Sequence, residues 1–278
     1  MNAALTATGI SVSFGAVQAL KDVDIEVGRG KLVGLIGPNG AGKTTFIDAI
    51  TGFVPAGGSI LLADREISKL APHDRARLGL ARTWQTIELF DDLSVLENLA
   101  VAARRPSVGS SLAEIVLGRE PRAEQLAEEA LALLDLEDIA ATMPSDLPQG
   151  RRKLVGIARS LAARPSLLLL DEPAAGLDTH ESLDLGQRLR RVVDTGLSAL
   201  LVDHDMGLVR GICDELYVLD FGSVIGRGTP DEVWNNPDVL AAYLGTSAAA
   251  QVQAKGQVVS ASADIALGAA ALEASERP

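Results

Sequence analysis

The chain has 278 residues, room for one large domain with a subdomain and a tail around an extensive buried core. It carries 25 Lys and Arg against 37 Asp and Glu, a net charge of −12, so no basic stripe is expected to track a nucleic-acid backbone. One cysteine, Cys213, excludes an internal disulfide framework, and three scattered histidines (His73, His180, His204) add no zinc-ligand spacing.

Met1 to Ile10 has no basic segment leading an apolar one and does not read as a secretory leader. Ile10, Val12 and Phe14 alternate with smaller or polar residues, as do Val23, Ile25 and Val27 ahead of Gly28-Arg29-Gly30, the period of half-buried strands joined by turns. Lys31 to Gly37 (KLVGLIG) is a short apolar run ending at glycine, read as a strand buried on both faces, with a helix from Gly42 to about Thr51 behind it. Ser94 to about Ala141 reads as helical: Ser94 and Glu97 match a capping box, and Ala127, Ala130, Leu131, Leu133 and Leu134 recur at helical spacing. Arg104 to Ser111 (RRPSVGSS) should interrupt it as a loop. Further buried strands are expected at Leu167 to Leu170 and Ser198 to Val202, separated by helical patterns, which argues for a parallel α/β core. These runs stop at Asp171 and Asp203, far short of the roughly 20 apolar residues a membrane span needs, so a cytosolic protein is expected. From Thr246 to Pro278, 11 of 33 residues are Ala with mostly Gln, Ser and Gly between them, a composition expected to be disordered or to form at most a short docking helix.

The strongest chemical signal is Gly37-Pro38-Asn39-Gly40-Ala41-Gly42-Lys43-Thr44-Thr45, a glycine-rich phosphate loop between a buried strand and a helix. Its glycines let successive N–H groups turn inward on phosphate oxygens, the helix adds its positive end, Lys43 reaches terminal phosphates and Thr44 offers a hydroxyl to magnesium. Leu167 to Glu172 ends a buried strand with two adjacent carboxylates, which are costly at the rim of an apolar strand unless a cation or water meets them. Asp171 suits magnesium through water, and Glu172 suits polarising an attacking water.

With these residues in place, residues 1–245 resemble the ATP-binding subunit of an ABC transporter. The resemblance implies a P-loop NTPase fold: a parallel-sheet core with an antiparallel β subdomain (1–89 and 147–245) and an inserted α-helical subdomain (90–146), followed by the tail, 246–278. It implies ATP and Mg2+ as ligands. Gln85, in Arg82-Thr83-Trp84-Gln85, resembles the Q-loop glutamine that binds magnesium, and Thr86 to Phe90 stand where the family faces its membrane subunit. Asp171 and Glu172 resemble the Walker B pair, Ala175-Gly176-Leu177-Asp178 the D-loop, and His204 the switch histidine at the γ-phosphate. Phe14 lies where the family stacks an aromatic on adenine, with Val17 beside the sugar; as an alternating strand residue, Phe14 could equally be core.

The signature is where the sequence departs: Leu147-Pro148-Gln149-Gly150-Arg151 stands in place of Leu-Ser-Gly-Gly-Gln. In the family this loop meets the γ-phosphate held by the opposite subunit of a dimer, and Pro148 has neither hydroxyl nor N–H to donate. The loss should cost about 1.5 to 3 kcal/mol of closure energy at that site unless Arg151 compensates. Two dimers stay open: an asymmetric pair with a related ATPase, or a homodimer that tolerates the proline. Within the family the sequence is most similar to branched-chain amino acid importers, with urea or amide importers and a lipopolysaccharide exporter as alternatives. The resemblance implies a peripheral place on the inner face of the membrane through permease subunits, and no direct contact with cargo. Soluble ABC ATPases acting on DNA or ribosomes, and a regulator that binds nucleotide without turnover, are competing classes. A single phosphate loop and an acidic balance count against the first, and Glu172 with His204 against the second.

Overall fold

The computed structural model describes residues 3–84, 88–104 and 121–242. The expected loop after Arg104 and the Ala-rich tail lie outside these residues. A long hairpin opens the chain: β1 (Ala3–Phe14) and β2 (Val17–Gly28) pair antiparallel, with Ala7 opposite Ile25 and Ile10 opposite Val23. Their alternation places Leu5, Ala7, Ile10, Val12, Val23, Ile25 and Val27 inside. After β3 (Leu32–Ile36) and α1 (Lys43–Thr51), β4 (Gly57–Leu62) and β5 (Arg65–Glu66) complete a four-stranded antiparallel sheet in the order β2-β1-β4-β5. A short helix, α2 (Pro72–Arg77), then leads to β6 (Leu80–Arg82).

A second sheet has the order β10-β9-β3-β8-β7-β6, using β7 (Leu167–Asp171), β8 (Ser198–Val202), β9 (Glu215–Asp220) and β10 (Ser223–Gly228). All its neighbours run parallel except β9 and β10. Every residue of β3, β7 and β8 is buried because both faces are covered. Leu167 and Leu169 pack with Val33, Leu35, Phe46 and Ile50 and the inner face of the antiparallel sheet. Leu168 and Leu170 point the other way, into a cluster with Leu154, Ala158, Leu185 and Leu189. This two-sided burial is why these strands carry continuous apolar runs rather than alternating ones.

On that second face lie α3 (Val95–Ala103), α4 (Pro121–Leu133), α5 (Gln149–Ala162) and α6 (Thr179–Asp194), followed by α7 (Met206–Ile212), α8 (Pro230–Trp234) and a helical segment at 237–242. The Ser94–Glu97 capping box forms, with Ser94 N–H donating to Glu97 at 2.8 Å and Glu97 N–H to Ser94 at 3.3 Å. One expectation needs correction. The helical stretch does not run on to Ala141: α4 ends at Leu133, Asp135 turns the chain at φ 50, and two short 3₁₀ turns, Glu137–Ile139 and Pro144–Asp146, follow before α5. Leu133 is 37 % exposed while Ala130, Leu131 and Leu134 are buried, since it lies about 100° around the helix from Leu134 and about 200° from Leu131. Among the described residues, no helix is long and apolar enough to cross a membrane.

Candidate nucleotide site

Loops at the carboxyl ends of β3, β6, β7 and β8 meet at one cleft, the edge at which open parallel sheets bind ligands. The loop after β3 is forced to be glycine-rich by its neighbours. Gly37 adopts φ 152, and a Cβ there would stand 2.0 Å from the Leu219 carbonyl oxygen; Gly42 caps α1 at φ 108, where a Cβ would meet the Ala19 carbonyl oxygen at 2.8 Å. Ala41 N–H donates back to the Pro38 carbonyl at 3.2 Å, and the Ala41 carbonyl accepts from Gly222 N–H at 3.0 Å, tying the loop to the β9–β10 turn. The Lys43 ammonium is buried and donates to the carbonyls of Gly37 at 2.8 Å and Pro38 at 3.0 Å. Burial holds its pKa below the ordinary lysine value, while the charges of Glu172, Asp171 and Asp203 oppose that shift. Thr44 is exposed on the cleft and Thr45 half-buried; Asn39 and Gly40 are exposed.

Across the cleft, Asp171 is 2 % exposed at the end of β7 and is met by Arg82 from β6, whose Nη2 donates to Oδ2 at 2.8 Å. The same guanidinium also pairs with Asp48 on α1. Burial pushes the Asp171 pKa up, against the pull of the Arg82 bond. Asp171 Oδ1 is buried and has no hydrogen-bond partner among the described residues, and neither does Arg82 Nε. Glu172 follows at φ 47, a left-handed conformation uncommon for a residue with a side chain; its N–H donates to the Val202 carbonyl at 2.7 Å. Beyond β8, fully buried Asp203 accepts three backbone N–H bonds, from Ala174 at 3.0 Å, His204 at 2.7 Å and Asp205 at 2.9 Å. Asp203 thereby joins the turn after Glu172 to the loop carrying His204, whose imidazole is exposed with Nδ1 3.6 Å from Asp203.

Gln85, Thr86 and Ile87 lie outside the described residues. On their near side, Trp84 is half exposed, stacked beneath the Arg82 guanidinium at 4.4 Å and edge-on to exposed Phe53 at 5.3 Å. On their far side, Leu89 and Phe90 join Trp84, Val101, Thr44 and Asp171 around a cleft of about 980 Å³. Phe14 and Val17 pair at the tip of the first hairpin, where Phe14 is 53 % exposed, so the structure does not place it in the core.

The signature segment opens α5: Pro148 is the N-cap, with no side-chain capping bond, and its carbonyl accepts from Arg152 N–H at 3.0 Å. Leu147 is half-buried against the helical core and Gln149 is exposed. Gly150 abuts Glu181, whose Oε1 would stand 2.8 Å from an added Cβ. Arg151 is engaged by Asp138 through bonds of 3.0 and 2.8 Å. Asp178 caps α6, accepting the Glu181 N–H at 2.8 Å. Sequence reasoning assigned no role to Arg82, Asp48, Asp203 or Lys153. For Asp203 a signal existed, an acid ending a buried strand just as Asp171 does.

Comparison with known proteins gives a consistent outcome. The family described as "ABC transporter" matches residues 20–175, and the family described as "Branched-chain amino acid ATP-binding cassette transporter" matches residues 223–249. The high-affinity branched-chain amino acid transport ATP-binding protein LivG of Escherichia coli (strain K12) is 39 % identical over 248 residues, covering 87 % of this chain and 97 % of the relative. The lipopolysaccharide export system ATP-binding protein LptB of the same strain is 37 % identical over 245 residues, covering 87 % and 98 %. A crystal structure of a nucleotide-free ATP-binding cassette from an ABC transporter superposes with a TM-score of 0.77 at 29 % identity, covering 87 % of this chain and 99 % of that one.

Proposed function

The chain belongs to the ABC transporter family, and on that premise we propose that it is the ATP-hydrolysing subunit of a branched-chain amino acid importer. The observation that carries the hydrolytic part is the placement, around one cleft, of a glycine-rich loop and the buried Lys43 cation together with Asp171 and Glu172. Residues 37–45 cradle the phosphates, with Lys43 on the terminal ones; Phe14 stacks on adenine and Val17 lies beside the sugar. Thr44, Asp171 and Gln85 would hold Mg2+, and the fit rests on Asp171 Oδ1, a buried oxygen without a protein partner among the described residues. When bound, the ion neutralises charge on the phosphate oxygens. Glu172 takes a proton from the attacking water, and His204 contacts the γ-phosphate.

Two cassettes close face to face, with residues 147–151 and Asp178 of one completing the site of the other. Since Arg151 is already engaged by Asp138, the Pro148 signature is the weaker half-site, which favours pairing with a second, related ATPase. Equal turnover per subunit for the purified chain alone and mixed with its partner removes that asymmetry. The half-exposed Trp84 and Phe90 at the large cleft, with Phe53 packed against Trp84, form the docking surface for the permease near Thr86 to Phe90, which keeps the subunit at the inner face of the membrane without touching cargo. The match over residues 223–249 favours branched-chain cargo over lipopolysaccharide export.

Glu172→Gln is expected to slow ATP hydrolysis by about 10² to 10⁴ while keeping nucleotide binding and trapping a closed dimer. Unchanged turnover refutes the assigned base. For cargo, deletion of the gene should abolish leucine, isoleucine and valine uptake; intact uptake with defective lipopolysaccharide export selects the other transporter class.

A further inference from the structure

Lys153 sits one turn into α5 and is 8 % exposed, an uncommon place for an ammonium. It donates to the carbonyl of Pro173 at 3.0 Å and, closer still, to that of Ala175. These two carbonyls flank Ala174 in sequence, and the Ala174 N–H is held by Asp203 at 3.0 Å. The turn immediately after Glu172 is therefore held through both kinds of backbone group, by a cation on its carbonyls and by a carboxylate on its N–H. Glu172 itself, at φ 47, has a backbone conformation that persists only where its surroundings over-determine it. Burial lowers the Lys153 pKa, and the charges of Asp203, Glu172 and Glu181 act against that shift, so the ammonium lies within the field of the hydrolytic carboxylate. The helix that carries Lys153 begins with the signature segment, and Gly150 at that end abuts Glu181 in the first turn of α6. One rigid helix thus reaches from the segment that meets the opposite subunit to the turn that aims Glu172.

We propose that Lys153 is the positioning residue for Glu172, coupling the signature helix to the hydrolytic carboxylate within one subunit. The proposal rests on the assignment of Glu172 as base. Displacing a reacting group by about 1 Å can cost 10²-fold in rate, so a grip on the neighbouring turn is enough to govern turnover without touching nucleotide.

The test uses the full-length chain, assembled with its partner subunits, and reads ATP affinity by fluorescent-nucleotide titration separately from turnover. Lys153→Met is expected to keep affinity within about 3-fold and to lower kcat about 10- to 100-fold, while Lys153→Arg, which can still donate to both carbonyls, restores most of the rate. In the Glu172→Gln background, adding Lys153→Met should produce little further loss, because both act through the same carboxylate. If Lys153→Met does not fold, Lys153→Gln, which keeps N–H donors, takes its place in the same comparison. Turnover unchanged in the variant, a loss that only follows weakened binding, or a full multiplicative loss on top of Glu172→Gln overturns the proposal. A wild-type assembly that binds Mg-ATP without hydrolysing it instead overturns the assignment of Glu172 on which it rests.

Discussion

The phosphate loop and the carboxylate corner face each other across the cleft but are built in opposite ways. The loop closes largely on itself: Lys43 bonds to carbonyls 6 and 5 residues back, and Ala41 to Pro38. The corner is assembled from afar: Asp171 depends on Arg82, 89 residues earlier, and Ala174 on Asp203, 29 residues later. The loop meets distant residues mainly as backbone, at the Leu219 and Ala19 carbonyls and the Gly222 N–H, whereas the corner depends on distant side chains on β6, α1, α5 and the loop after β8.

The largest effect should come from the corner. Arg82→Met leaves Asp171 and Asp48 facing each other without their shared cation, and removing one partner of a buried pair is expected to cost about 3 to 5 kcal/mol in urea unfolding. Adding Asp48→Asn should recover part of this; a single-site cost under about 1 kcal/mol would erase the contrast. Within the loop, the comparison sharpens between two glycines. Gly37→Ala drives a methyl into the Leu219 carbonyl and should cost about 1 to 3 kcal/mol and impair nucleotide binding, while at Gly40, φ 81, no atom of the described residues lies within 4 Å of an added methyl and Gly40→Ala should cost only about 1 kcal/mol. Equal losses at both positions would show that backbone conformation, rather than the Leu219 contact, sets the requirement.

The smallest effect concerns a carboxylate built locally. Hydrogen bonds from the Ser59 and Ser68 hydroxyls, outweighing slight burial, hold Glu66 down to about 2, well below its ordinary 4.5. Because the folded value is depressed, the stabilisation is full above pH 4.5 and is lost as the pH falls toward 2. Glu66→Gln should flatten the urea midpoint over that window by a small amount, as expected for an exposed group. An unchanged slope there would show that the hydroxyl bonds do not persist in solution.

The phosphate loop was legible as nine consecutive residues because its chemistry is carried by adjacent backbone N–H groups and one lysine on the following helix. Asp171 and Glu172 were legible because charges ending an apolar strand need an explanation. Arg82 and Lys153 were not: each is one basic residue among 25, and only the meeting of β6 with β7, or of α5 with the turn after Glu172, makes it part of the site. Phe14 was left open between core and cleft because alternation alone does not say where a hairpin ends, and the Phe14–Val17 pairing at the tip resolved its exposure.

Order along the chain was enough for the two-faced strands, the phosphate cradle and the cap on α3, since each is written as a pattern of residue types within a few consecutive positions. The Asp171 oxygen without a partner among the described residues, the hold of Lys153 and Asp203 on the turn around Ala174 and the engagement of Arg151 by Asp138 emerged only once strands and helices distant in sequence were packed together. A buried charge is acceptable only beside its partner, and that pairing is a property of distances in space, which no single stretch of residues contains.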